Sequence, residues 1–187
     1  ATGSTVRGLI VNGFSRFGLT LEAGSGHRVA GNHVGTNAAG DAAVGNGTVG
    51  INVWRAGGST IGGPAAGDRN VISGNGNSGV VIGGTGGTGN VVQGNHIGVN
   101  AAGSGKLGNG AQGIYVASAG NQFVGNVISG NTWENLLLDS GASGSLVTGN
   151  TIGLDATGTF ALANGSAGLR VLSPDNAIGG HTAALRN

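Results

Sequence analysis

The sequence predicts an all-β solenoid: a single-stranded, right-handed parallel β-helix of six full rungs and part of a seventh, with residues 1–187 as one domain. Three observations lead there. Of 187 residues 44 are Gly and 20 are Asn, against 2 Pro, 7 aromatics and no Cys. A short apolar strand recurs at related spacings along the whole chain. Asparagines fall at fixed offsets from that strand.

Glycine at about 24% of the chain leaves few side chains to fill a round core, so a thin, elongated one is expected. Two prolines and no Gly-X-Y phase exclude collagen. With 38% apolar residues and a net charge of +1 the chain collapses rather than staying disordered. The same charge gives no electrostatic reason for a nucleic-acid partner. Apolar runs fall far short of the ~20 residues of a membrane helix, so no membrane insertion is expected. The lack of Cys removes disulfides, thiol catalysis and Cys-ligated metals.

The repeat is set by its third strand: Gly18–Leu21, Gly50–Val53, Gly79–Ile82, Gly113–Val116, Asn135–Leu138 and Gly168–Val171. Start-to-start spacings are 32, 29, 34, 22 and 33, so 22 is the bare unit and the others carry inserts. Three inserts are alike (Thr36–Gly45, Val99–Gly108 and Leu154–Ala163); a different one, Pro64–Arg69, sits one corner earlier. The first strand centres on Val6, Val29, Ile61, Val92, Val124, Val147 and Ile178. The second carries Val11, Val34, Ile72, Ile97, Ile128 and Ile152. The third alternates, with Leu19/Leu21, Ile51/Val53, Val80/Ile82, Ile114/Val116, Leu136/Leu138 and Leu169/Val171 inward.

Such a unit cannot bury its inner side chains alone; stacked at about 4.8 Å it can. Asn46, Asn75, Asn109, Asn131 and Asn164 each stand four residues before a third strand, with Phe14 in unit one. Asn32, Asn95, Asn126 and Asn150 follow the first strand, with Leu9, Gly63 and Gly180 as exceptions. Superposed amides of this kind bond from rung to rung, so both columns are expected to be structural ladders.

Strings such as Gly94–Val116 and Ser59–Ile82 resemble bacterial parallel β-helix repeat proteins of the pectin-lyase-like superfamily. The match is to the GN-x-IG-T-D-A-x-G and N-V-I-S-G-N repeats of large secreted or surface proteins, and it runs from Thr5 to Asn187. It implies an extracellular or cell-surface location and says little about activity. Since neither end shows a polar capping repeat, the chain is expected to be a segment of a longer array.

Enzymes of this superfamily cluster acidic residues, a lyase adding a metal and a base. The seven acids here are Glu22, Asp41, Asp68, Glu134, Asp139, Asp155 and Asp175, and rung four has none. Glu22 and Asp139 share a column but stand four rungs apart, about 19 Å, beyond any glycosidase spacing. Arg28 is the candidate lyase base without an acidic metal site. His33 and His96, two rungs apart, are too distant to share a metal and read as solvent-facing. No catalytic residue, metal or cofactor is assigned. One patch remains: Val81, Tyr115 and Leu137 form an outward apolar stripe on the third face, with Trp54 and Trp133 in flanking turns. The expectation is a non-enzymatic structural or adhesive scaffold that contacts a polysaccharide or another copy of itself, through that face or its ends. The alternative is a polysaccharide lyase or hydrolase.

Overall fold

The computed structural model, which describes residues 2–187, is a parallel β-helix. Each rung supplies one strand to each of three parallel sheets. The first sheet has seven strands, from Thr5–Arg7 to Ala177–Ile178; the second has six, from Ile10–Val11 to Thr151–Ile152. The third has six longer ones: Leu19–Glu22, Ile51–Trp54, Val80–Gly83, Ile114–Val116, Leu136–Leu138 and Leu169–Val171. Strands of two to four residues are marginal alone, and here each gains a ladder from the rung on either side.

The core is one narrow column. Val34, Ile72, Ile97 and Ile128 of the second sheet face Ile51, Val80, Ile114 and Leu136 of the third, all without exposed surface. In the first sheet Val92 pairs with Phe123 and Phe123 with Val147. The inward residue of rung five is therefore Phe123, not Val124. Both neighbours are apolar, and only the register decides between them. Phe123 is the largest of the fully buried side chains. Packing thins at the two ends: Leu9, Ile10 and Phe14 are exposed on the first rung, Val171, Leu172 and Ile178 on the last.

Amide ladders line the corners. At the second corner the Asn46 amide donates to Asn75 Oδ1, Asn75 to Asn109 and Asn109 to Asn131, each at 2.9 Å. A Cβ on Gly50 or Gly79 would come within 2.8 Å of the passing amide nitrogen, which is why glycine opens the third strand. Rung five has Asn135 there instead, and its side chain joins the ladder. It accepts from Asn131 at 2.9 Å and donates to Asn164 Oδ1 at 3.1 Å.

The first-corner ladder runs Asn32, Asn70, Asn95, Asn126, Asn150, Asn187, with amide bonds of 2.9–3.0 Å. Gly63 and Gly180 are thus not its gaps. In both rungs an insert displaces the asparagine along the sequence, and Asn70 and Asn187 restore it. A third, mixed ladder lies before the first strand. Ser59 N–H donates to Asn90 Oδ1 at 2.9 Å, the Asn90 amide to Asn121 at 3.1 Å, and Ser145 N–H to Asn176 at 2.8 Å.

The three related inserts stack although a rung separates each pair. Ala101 N–H donates to the Gly40 carbonyl at 2.8 Å, and Ala156 N–H to Gly103 at 2.9 Å. They form a ridge over the second face, and the ridge covers the histidines. His96, expected to face solvent, is buried, with Nδ1 3.1 Å from the Ala101 carbonyl; His33 is half-buried beside the Asn37 carbonyl at 3.4 Å. Burial, helped by the charge of Arg69, holds the His96 pKa below its ordinary value.

The Pro64–Arg69 insert closes over the first face through a short 3₁₀ turn, Ala66–Asp68. Asp68 Oδ1 accepts from Arg28 at 2.9 Å and Arg7 at 3.0 Å, tying three rungs together. Those bonds, Arg28's first, lower its pKa. Arg28, the candidate base, is half-buried and engaged in holding this insert.

Candidate functional site

The third face displays two outward columns. One reads Thr20, Asn52, Val81, Tyr115, Leu137, Arg170 in paired register. Beside it Glu22 pairs with Trp54 and Trp54 with Gly83, and Asp139 follows Leu138 further along. Strand alternation puts both columns on the same surface. Trp54 is therefore a strand residue and not, as expected, part of a flanking turn.

On rungs one to three this surface sinks into an open groove of about 610 Å³. Thr20, Asn52 and Val81 form its floor, Glu22 and Trp54 one wall, and Arg16, Phe17 and Val49 the other. The indole lies over the next rung's backbone: a Cβ on Gly83 would stand 3.0 Å from its Cζ3, and one on Gly84 3.1 Å from its Cε2. Bare glycine backbone lets the ring lie down and leaves 39% of the residue exposed. Across the groove the Arg16 guanidinium sits 4.9 Å above the centre of the Phe17 ring, a cation–π contact. Behind the first wall the chain turns through left-handed backbone at two non-glycine residues, Ala23 (φ 63°) and Arg55 (φ 58°). That conformation costs roughly 1–2 kcal/mol per residue, so the strand ends bearing Glu22 and Trp54 are held against strain.

Rungs four and five are closed, and the exposed Arg170 of rung six reaches back to rung five. Leu137, expected on an exposed stripe, is only 7% exposed. Polar groups link up around it. The Tyr115 hydroxyl donates to Asp139 Oδ2 at 2.5 Å, and Arg170 Nη1 stands 3.4 Å from Glu134 Oε1. Gln112 carries the network on, accepting from Ser78 Oγ at 3.0 Å and donating to Glu134 Oε2 at 3.3 Å. The Asp139 bond pushes the Tyr115 pKa up to about 12, with burial adding to it. The same bond, then the Ser140 backbone N–H, lowers that of Asp139. Trp133 stands exposed in the turn before the rung-five strand, in the column that holds Arg16 on rung one.

Of the five patch residues named from sequence, only Trp54 and Val81 line the groove. Tyr115 and Leu137 belong to the closed half, and Trp133 stands apart from both. The Arg16–Phe17 wall has no repeat that marks it, because the turn column of Arg16 continues as Thr48, Asn77, Ala111 and Trp133, which share no residue type. One cue was present: Phe17 and Val49 both directly precede the glycine that opens a third strand.

Glu134 and Asp139 are each engaged by a neighbour, and Glu22 lies four rungs from Asp139. Among the described residues no three His, Asp or Glu side chains gather as a metal site would require. Asp155 accepts from Thr159 and Phe160 N–H at 2.9 and 3.1 Å, a turn role inside its insert; the Phe160 bond leads in lowering its pKa. Compared with protein-family models, with curated proteins and with solved structures, the chain matches none.

Proposed function

We propose that this chain is a non-enzymatic structural scaffold of a secreted or cell-surface protein, and that it contacts glycans through the groove on rungs one to three. A parallel β-helix with ladders at its corners is suited to the first role, since it holds surface groups at fixed spacing. The observation that carries the second is Trp54. Its indole is half-open and backed by glycine, and it stands at the edge of a floor made by Thr20, Asn52 and Val81. A sugar presents an apolar C–H face together with hydroxyl edges, and an aromatic plate beside hydrogen-bonding side chains meets both. The secreted setting rests on the resemblance of the repeats, and the non-enzymatic reading on carboxylates that are dispersed or already engaged.

A glycan array probed with the wild-type chain, Trp54→Ala and Trp133→Ala tests the assignment. Binding lost in the first variant and kept in the second is the expected pattern. Turnover of a bound polysaccharide, abolished by Glu134→Ala or Asp139→Ala, would replace the scaffold with an enzyme.

A further inference from the structure

We infer that the groove takes an uncharged glycan segment about two sugar residues long, laid along the solenoid axis; this rests on the glycan reading above and narrows its ligand. Direction and length come from the walls. The first runs up the stack from Glu22 on rung one to the indole leaning over rung three, the second from Phe17 on rung one to Val49 on rung two, and the floor continues to Val81 on rung three. Two rung spacings make about 9.6 Å, the length of a disaccharide.

Charge sets the class. Glu22 is the immediate neighbour of Trp54 across the ladder, so the ring stacked on the indole sets its hydroxyls beside that carboxylate. A carboxylate accepts from two hydroxyls and repels another carboxylate. Among the lining residues the one cation, Arg16, lies on the opposite wall against Phe17 and is badly placed to neutralise an acid held on the Trp54 side; Arg55, which follows Trp54 and packs over Gly84, is outside the lining. The polar groups of this half are also unspent. Among the described residues, the side chains of Thr20, Glu22, Asn52 and Trp54 make no hydrogen bond within the protein, whereas Tyr115, Glu134, Asp139 and Arg170 all do. Free donors and acceptors around an aromatic plate are what a neutral polyol needs.

Calorimetric titration with neutral gluco-, xylo- and manno-oligosaccharides, and with uronate oligosaccharides matched in length, tests this. A neutral series should bind the wild-type chain, with affinity levelling off beyond the disaccharide, while the uronates fail. Trp54→Ala should abolish that binding. Glu22→Gln should weaken it about tenfold, the scale of one hydrogen bond to a charged group, and should begin to admit uronates. Thermal melts of both variants check that they fold. Should uronates bind the wild-type chain as tightly as the neutral sugars, with Trp54→Ala removing them, the glycan reading stands and the inference about charge falls. Affinity that keeps climbing with chain length removes the two-residue limit. If no oligosaccharide of either kind binds, both readings fall.

Discussion

The two halves of the third face use one backbone and one register, yet they present opposite surfaces. On rungs one to three the outward residues are Thr20, Asn52 and Val81, short enough to leave a floor, and among the described residues the side chains of Thr20, Glu22, Asn52 and Trp54 make no hydrogen bond within the protein. On rungs four to six Tyr115, Leu137 and Arg170 occupy the same column; Tyr115 and Arg170 reach across rungs to Asp139 and Glu134, with Leu137 buried between them. The lesson is that a solenoid makes a site by subtraction. Identical strands give a sealed wall where outward side chains are long and pairwise satisfied, and a groove where they are short and unpaired.

The comparison breaks most completely if the shared backbone is cut. Asn109 lies at the join, donating to Asn131 Oδ1 and to the Ile72 carbonyl while accepting from the Asn75 side chain. Asn109→Ala leaves several buried groups without partners at about 1–3 kcal/mol each. Chemical denaturation should show a loss of about 3 kcal/mol or more, against about 1 kcal/mol for Asn164→Ala at the partly exposed end. A small loss for Asn109→Ala would mean that the ladder carries little of the fold.

Next comes the difference between the halves themselves. Leu137→Ala should cost about 2–4 kcal/mol, as for a buried leucine, and Val81→Ala about 1 kcal/mol or less. Equal losses would say that the closed half is no more sealed than the groove.

The smallest effect is electrostatic. Tyr115→Phe removes a hydrogen bond to an ionised acid and should cost about 1–2 kcal/mol. The sign with pH follows from the raised pKa: the folded state favours the neutral phenol. Its stabilisation is whole below the ordinary value of 10.0 and drains away as pH rises toward about 12. Since the chain has one tyrosine, ultraviolet titration reads it cleanly, and Asp139→Asn should return its midpoint toward the ordinary value.

Much of this architecture was legible in the sequence because its signals are repeated. Valine and isoleucine two apart mark the third strands, and glycine before them marks where an amide passes. What escaped was whatever the repeat does not preserve. Phe123 and Val124 are equally apolar, so the inward one shows only when Val92 pairs. Asn70 was hidden by six inserted residues that shift it in sequence but not in space. The ladder through Ser59, Asn90 and Asn121 mixes residue types that share only the ability to take part in a hydrogen bond. Leu137 read as exposed because alternation says which way a side chain points and not what lies over it; Tyr115, Glu134 and Arg170 come together only in the coil. Trp54 was picked out, but the far wall of its groove was not, since Arg16 and Phe17 belong to a turn without a pattern.

The chain holds two tryptophans, one in the groove and one outside it, so a single titration reads the central claim. Two-dimensional NMR of the indole N–H signals during addition of the tightest-binding neutral oligosaccharide should shift the Trp54 resonance saturably and leave Trp133 in place. A Trp133 shift with a silent Trp54, or equal shifts in both, would move the contact off rungs one to three and contradict the account.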